Sequence, residues 1–302
     1  MKLTILGCYA ATPRSLTNPT SQVLTINNHM FLIDCGEGTQ VQLRKNKVKF
    51  AKIEHIFISH LHGDHFYGLI GLISTFMLLG REKPLHVYGP KGIKEVILLQ
   101  LKLSNAWTSY PLYFHELESE QSEVIFEDDS VTVETIPLIH RVYTNGFLFK
   151  EKPKDRKLVI EKAHEYQIDV TLFKSLKKGK DVVAETGEII PNKWVTEEPE
   201  ASKSYAFCSD TLYNEAIVPQ IKNVTVLYHE STFLEQQKSL TDHTKHSTAK
   251  QAATIAKQAN AEQLVLGHYS TRYKDISVFK EEALEVFPNV SLAEDGKSFD
   301  FD

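Results

Sequence analysis

Cysteine is scarce in this chain: Cys8, Cys35 and Cys208 are the only three in 302 residues. Three thiols do not make a disulfide framework, and each stands near the end of an apolar run, where a small buried side chain fits. Long apolar runs are lacking as well. The stretch from Leu69 to Leu79 is interrupted by Gly71, Ser74 and Thr75 and falls short of the ~20 residues that a membrane span needs. Residues 1–7 are too short in their apolar part for a signal peptide and are expected to form a first strand, so no membrane partner and a cytoplasmic location are the expectation. There is no excess of basic charge either. A net charge of −5 argues against nucleic-acid binding over the whole surface and leaves room only for a local basic element. One such element exists: Lys174-Ser175-Leu176-Lys177-Lys178-Gly179-Lys180 carries four lysines and no acid.

What the chain does have is imidazole concentrated in one place. His60-Leu61-His62-Gly63-Asp64-His65 puts three imidazoles and a carboxylate into six residues, directly after the apolar Ile56-Phe57-Ile58. These are ligands that suit zinc and related first-row divalent ions, and a solvated turn gains nothing from all four together. The segment reads as a metal site. Four such residues in a row cannot close around two ions, so further donors are needed. Three strand-like runs end in candidates: Ile136-Pro137-Leu138-Ile139-His140, Ala206-Phe207-Cys208-Ser209-Asp210 and Leu264-Val265-Leu266-Gly267-His268. In an α/β fold, residues just beyond strand ends gather along one edge of the sheet, where sites form.

Short β-rich runs alternate with segments of helical periodicity through both halves of the chain, and no repeat of fixed period shows. Helices are expected over residues 64–79, 211–220 and 247–259, among others, and a hairpin around Glu127-Asp128-Asp129. Two halves of strands followed by helices imply an α/β fold of two sheets packed face to face with helices outside, a single domain over residues 1–302. Residues 147–201 differ: rich in Lys, Glu and Gly with weak apolar periodicity, they read as an insertion rather than core.

Ser59-His60-Leu61-His62-Gly63-Asp64-His65, Cys208-Ser209-Asp210-Thr211, His229-Glu230-Ser231-Thr232, His246-Ser247-Thr248-Ala249 and Leu266-Gly267-His268-Tyr269-Ser270-Thr271-Arg272-Tyr273, in this order, resemble the ribonuclease Z family, tRNA 3′-processing endonucleases of the metallo-β-lactamase fold. The resemblance spans nearly the whole chain. It implies a four-layer αββα sandwich with a protruding exosite arm and two Zn2+ per subunit, although Mn2+ could use the same ligands. One ion would be held by His60, His62 and His140, the other by Asp64, His65 and His268, with Asp210 bridging them. A carboxylate has two oxygens and can span two ions, which a neutral imidazole does not readily do. Asp64 would also orient the attacking water as proton acceptor, a role not separable from ligation in sequence. His246 would give a proton to the leaving group, with Glu230 holding its ring and raising its proton affinity. The implied reaction is attack of a metal-bridging hydroxide on the phosphodiester 3′ of the discriminator nucleotide. It removes the 3′ trailer of precursor tRNA and leaves a 3′-hydroxyl.

The same resemblance makes residues 147–201 the tRNA-binding arm, with Lys174, Lys177, Lys178 and Lys180, and also Arg272, as candidate substrate contacts, and it implies a homodimer. Lysines beside a flexible glycine can follow a phosphate backbone without reading bases. The arm lacks the family's early Gly-Pro pair, Glu165-Tyr166-Gln167-Ile168 standing near that region, and the N-terminal loop reads Thr12-Pro13-Arg14-Ser15-Leu16-Thr17-Asn18 with its arginine displaced. The alternative is another di-zinc hydrolase of this fold acting on small phosphodiesters or esters. A β-lactamase of the familiar di-zinc type is disfavoured because it uses a cysteine where Asp210 stands, and a non-catalytic RNA-binding relative should have lost ligands. His229 is not taken as a ligand. His29, His55, His86, His115, His164 and His243 have no spacing that lifts them above surface or satisfied core positions.

Overall fold

The computed structural model describes residues 1–12 and 14–301; Pro13 of the N-terminal loop lies outside the described residues. The chain divides into two compact units, Met1–Lys150 with Lys203–Asp302, and Glu151–Ser202.

The larger unit is built on two seven-stranded sheets. The first has the spatial order Ser298–Asp300, Lys2–Gly7, Ser21–Ile26, His29–Ile33, Ile53–Phe57, Leu85–Pro90, Leu112–Leu117. Its chain-terminal side is antiparallel and it turns parallel from His29–Ile33 onward. The second runs Val290–Leu292, Gln263–Gly267, Val226–Glu230, Ser204–Cys208, Asn145–Glu151, Val131–Pro137, Val124–Glu127. Alternation along the strands of the first sheet sends residues to two cores. Phe31, Phe57 and Tyr88 face the second sheet, where Phe31 meets Phe149 (ring centroids 5.3 Å) and Phe57 meets Phe147 (5.4 Å). Leu32, Ile56 and Val87 face the other way, onto Leu69, Ile73, Phe76, Ile93 and Ile97 of the helices Leu69–Leu78 and Ile93–Leu103. The helices Ala249–Gln258 and Ser277–Leu284 cover the second sheet with Ala252, Ala256, Phe279 and Ala283. The four-layer α/β sandwich expected from the sequence is therefore the fold.

Three local expectations are corrected. The helix expected over 64–79 is two, Gly63–Phe66 and Leu69–Leu78. The His65 carbonyl accepts from the Cys35 amide (2.7 Å) and the Gly68 amide donates to the Cys35 carbonyl (2.9 Å), so both leave the helical ladder. The segment 211–220 holds only the single 3-10 turn Glu215–Ile217, because the Thr211 amide donates to Glu230 and the Leu212 amide to the Ile139 carbonyl. Residues 147–150 are core rather than insertion: Phe147, Leu148 and Phe149 are buried in the strand Asn145–Glu151.

The smaller unit has two short ribbons, Lys157–Leu158 with Thr196–Glu197 and Val182–Val183 with Ile189–Ile190. It carries its own apolar cluster of Ile168, Leu176, Val182, Ala184, Ile190 and Val195. Residue spacing hid that cluster because its members come from short helices, turns and two-residue strands, each too brief to show a period. No helix of the described residues is long and apolar enough to cross a membrane.

Candidate metal centre

The strands that carry the expected donors are adjacent and parallel where it matters. Ser204–Cys208, Val226–Glu230 and Gln263–Gly267 run side by side, so Asp210, Glu230 and His268 emerge at one edge. Ile53–Phe57 of the first sheet delivers Ser59 and His60, and His62 stands just before the short helix Gly63–Phe66 that carries Asp64 and His65. Backbone geometry at the edge is unusual: Asp34, Asp210 and His268 have φ of 54°, 55° and 58°, in the left-handed region where Asp and His are among the few tolerated residues.

Two donor groups result. Ligand atoms of His60, His62, His140 and Asp210 all lie within 4.8 Å of one another, as do those of Asp64, His65 and His268. Asp210 faces both. Its Oδ2 is 3.6 Å from His60 Nε2 and 3.8 Å from His140 Nε2, while its Oδ1 is 3.2 Å from His65 Nε2 and 3.1 Å from His268 Nε2. His65 Nε2 and His268 Nε2 are buried without a hydrogen-bond partner, a cost that a bound cation removes.

The far nitrogen of each buried imidazole is taken. His65 Nδ1 donates to Asp34 Oδ2 (2.7 Å), His60 Nδ1 to Ser59 Oγ (3.0 Å), His140 Nδ1 to the Lys245 carbonyl (2.9 Å) and His268 Nδ1 to Thr232 Oγ1 (2.9 Å). These protons are assigned from the network. The result is that each Nε2 faces the centre while the far nitrogen is held, the usual arrangement for metal-ligating histidine. His62 instead presents Nδ1, 2.9 Å from His60 Nε2 and 3.3 Å from His140 Nε2. Burial lowers the proton affinity of His60, His62 and His140, which keeps their rings neutral as ligation requires. Asp64 is held well below the ordinary carboxylate range: burial opposes this, but His65 and His268 outweigh it. The donors thus fit a divalent metal site.

Beside the centre, His246 Nδ1 donates to Glu230 Oε1 at 2.8 Å, and the other Glu230 oxygen accepts from Thr232 Oγ1 at 2.6 Å. Burial works against a charged His246, yet Glu230 pushes it up to about 9. His246 lies two residues before Thr248, the N-cap of the helix Ala249–Gln258, rather than in its first turn. Arg272 is exposed, its guanidinium 5.2 Å from the centroid of Phe233, whose ring edges His246 at 6.2 Å. Lys174, Lys177, Lys178 and Lys180 are exposed in the smaller unit, and Lys178 pairs with Asp155 (2.7 Å). Residue spacing missed Asp34, Ser59 and Thr232, which hold the ligand rings. Asp34 carried a usable signal, an acid directly after the apolar strand His29–Ile33.

Fold and donor set together define a hydrolase of the metallo-β-lactamase fold. A family model described as anti-Pycsar protein Apyc1 matches residues 1–183, a segment that ends before Asp210, Glu230, His246 and His268. Over its length the chain is 48% identical to a ribonuclease Z of Cytophaga hutchinsonii across 304 residues (99% of this chain, 95% of that one) and 45% identical to one of Bacteroides fragilis across 294 (97% of each). Human tRNase Z, short form, superposes with a TM-score of 0.73 at 28% identity, covering 99% of both chains. This chain belongs to the ribonuclease Z family, with its first 183 residues also falling in the family described as anti-Pycsar protein Apyc1, and it is an enzyme.

Proposed function

We propose that the chain removes the 3′ trailer from precursor tRNA, hydrolysing the phosphodiester 3′ of the discriminator nucleotide. One observation carries this reading: a single carboxylate, Asp210, divides its oxygens between two imidazole sets while a Glu230-supported imidazole stands beside it. That is the outline of a site for in-line displacement at phosphorus, where attacking and leaving oxygens both need stabilising. His60, His62 and His140 would hold one divalent ion, Asp64, His65 and His268 the other, with Asp210 between, and nitrogen and carboxylate donors favour zinc with manganese accepted. A bound pair supplies an activated water near neutral pH and offsets the phosphate's charge. The rest falls to the chain. Asp64, held despite its burial well below the ordinary carboxylate range by His65 and His268, would orient that water and take its proton. His246, kept charged by Glu230, gives a proton to the 3′-oxygen as the P–O3′ bond breaks, so the tRNA leaves with a 3′-hydroxyl and the trailer with a 5′-phosphate. The exposed lysines of the smaller unit serve as the contact to the tRNA body. Substrate identity is supported by the names of full-length relatives and by human tRNase Z.

The test is to incubate the protein with an end-labelled tRNA precursor, with and without a chelator, and to map the new 3′ end. Metal-dependent cleavage directly after the discriminator is expected. Cleavage of a small phosphodiester with the precursor left intact would overturn the substrate assignment.

A further inference from the structure

The chain between the strands Lys2–Gly7 and Ser21–Ile26 passes Asp64, and there the Ala11 amide donates to Asp64 Oδ2 at 2.8 Å. Among the described residues this is the one hydrogen bond that the Asp64 carboxylate receives from outside the imidazole set. Ala11 makes it from a φ of 53°, in the left-handed region where a residue with a Cβ is uncommon and alanine, unlike Asn, Asp or His, is not enriched. Such a backbone persists only where its surroundings enforce it. On one side of the turn the Ala10 amide donates to the Tyr269 carbonyl (3.0 Å) and the Tyr269 amide to the Cys8 carbonyl (3.2 Å). On the other, the amide and the side-chain Nδ2 of Asn18 both donate to Asp295 Oδ2, at 2.7 and 2.8 Å.

We propose that the main chain at Ala11 is a positioning group for Asp64, fixing its carboxylate for the ion that Asp64, His65 and His268 would hold under the two-ion reading above. The amide holds the oxygen that faces the other donors, since the same Oδ2 lies 3.5 Å from His65 Nε2 and 3.7 Å from His268 Nε2. A hydrogen bond to an ionised carboxylate is charge-assisted, and one from a turn that cannot swing away fixes the direction of the remaining lone pairs. The tie reaches His268 as well, because Tyr269 directly follows it in the chain and bonds to Ala10 and Cys8. The turn thus does for Asp64 what Asp34 and Thr232 do for the rings of His65 and His268, and the three together hold one donor group. Among the described residues no donor of the other group, His60, His62, His140 or Asp210, bonds to residues 10–12. Loss of the amide is therefore expected to weaken one ion and spare the other.

The experiment uses full-length chains joined at Cys35 from a synthetic segment 1–34 and a recombinant segment 35–302. Position 11 carries either alanine or its hydroxy-acid analogue, lactate, which exchanges the N–H for an ester oxygen and keeps the side chain. Zinc binding is measured by competition with a chromophoric chelator, without RNA, and thermal unfolding is followed on the metal-free chains. The ester chain is expected to hold one zinc as the all-amide chain does and the other about 10–100-fold more weakly, with the unfolding midpoint little changed. Ala11→Val, made without ligation, keeps the N–H but resists a positive φ and should show the same one-ion loss. Ala11→Gly keeps the N–H and accepts that φ, so it should bind both ions like wild type. An ester chain with undiminished affinity for both ions overturns the proposal. So does equal weakening of both ions together with a lowered unfolding midpoint, which would make the turn a brace for the fold. An all-amide chain that binds no zinc would instead defeat the two-ion reading itself.

Discussion

Glu230 and His246 form a buried ion pair, Oε1 to Nδ1 2.8 Å, whose carboxylate also receives the Thr211 amide and the Thr232 hydroxyl. A carboxylate so surrounded stays ionised, and the imidazole beside it stays protonated. With His246 as the proposed proton donor, the reaction's pH dependence is expected to follow this pair of side chains.

With His246 raised to about 9, its proton is available below that pH and lost above it, so cleavage should fall as pH rises through that value. In Glu230→Gln the main upward influence is gone while burial, which pushes down, remains. The basic limb of the kcat–pH profile is expected to move to lower pH. His246→Ala should lower kcat by roughly 10²–10⁴-fold with KM for precursor tRNA little changed. A basic limb that stays put in Glu230→Gln removes His246 from the proton-donor role.

Asp210→Asn keeps a residue that tolerates φ near 55° but supplies only one ligating oxygen without charge. Metal analysis of the purified variant should find about one ion or fewer per chain, and cleavage should be lost. Chelation of wild type should abolish cleavage, and zinc or manganese should restore it. Full occupancy in Asp210→Asn is the outcome that defeats the bridging role.

Asp34 accepts the Ser59 amide (2.7 Å) and hydroxyl (2.9 Å) and holds His65. Asp34→Asn is expected to weaken metal binding or activity by about 10–100-fold while the chain still folds. Competition with a chromophoric chelator measures the first and precursor cleavage the second. Wild-type values in both would reduce Asp34 to a packing residue.

Replacing Lys174, Lys177, Lys178 and Lys180 together by alanine should raise KM for precursor tRNA and flatten its salt dependence, by about 0.7–0.9 in log–log slope for each phosphate that a lysine no longer neutralises. Hydrolysis of bis(p-nitrophenyl) phosphate should not change. Equal losses on both substrates would mean that the lysines serve stability rather than binding.

His60, His140, Asp210 and His268 are legible because they stand at or just beyond apolar strand ends, and His62, Asp64 and His65 because they crowd with His60 into six residues. The hydroxyls that hold their rings are not, since Ser59 and Thr232 look like any polar residue after a strand. The segment 211–220 has helical spacing, yet the Glu230 carboxylate and the Ile139 carbonyl take its first amides. Phe147–Phe149 read as part of the insertion because the polar stretch after them masks a buried strand. Pairing across the sheet is the least visible. His86 and His115 meet only through the register of two parallel strands joined by a helical crossover, and nothing local in either segment encodes that meeting.

The left-handed backbone at Asp34, Asp210 and His268 bears on transplantation. Each such turn costs on the order of 1 kcal/mol or more, and the surrounding sheet edge is what enforces it. Copying the seven donors onto a different scaffold would carry over the ligands but not the chain directions that aim them. A graft that works has to bring the three turns with it, and a donor-only graft should bind metal loosely and hydrolyse nothing.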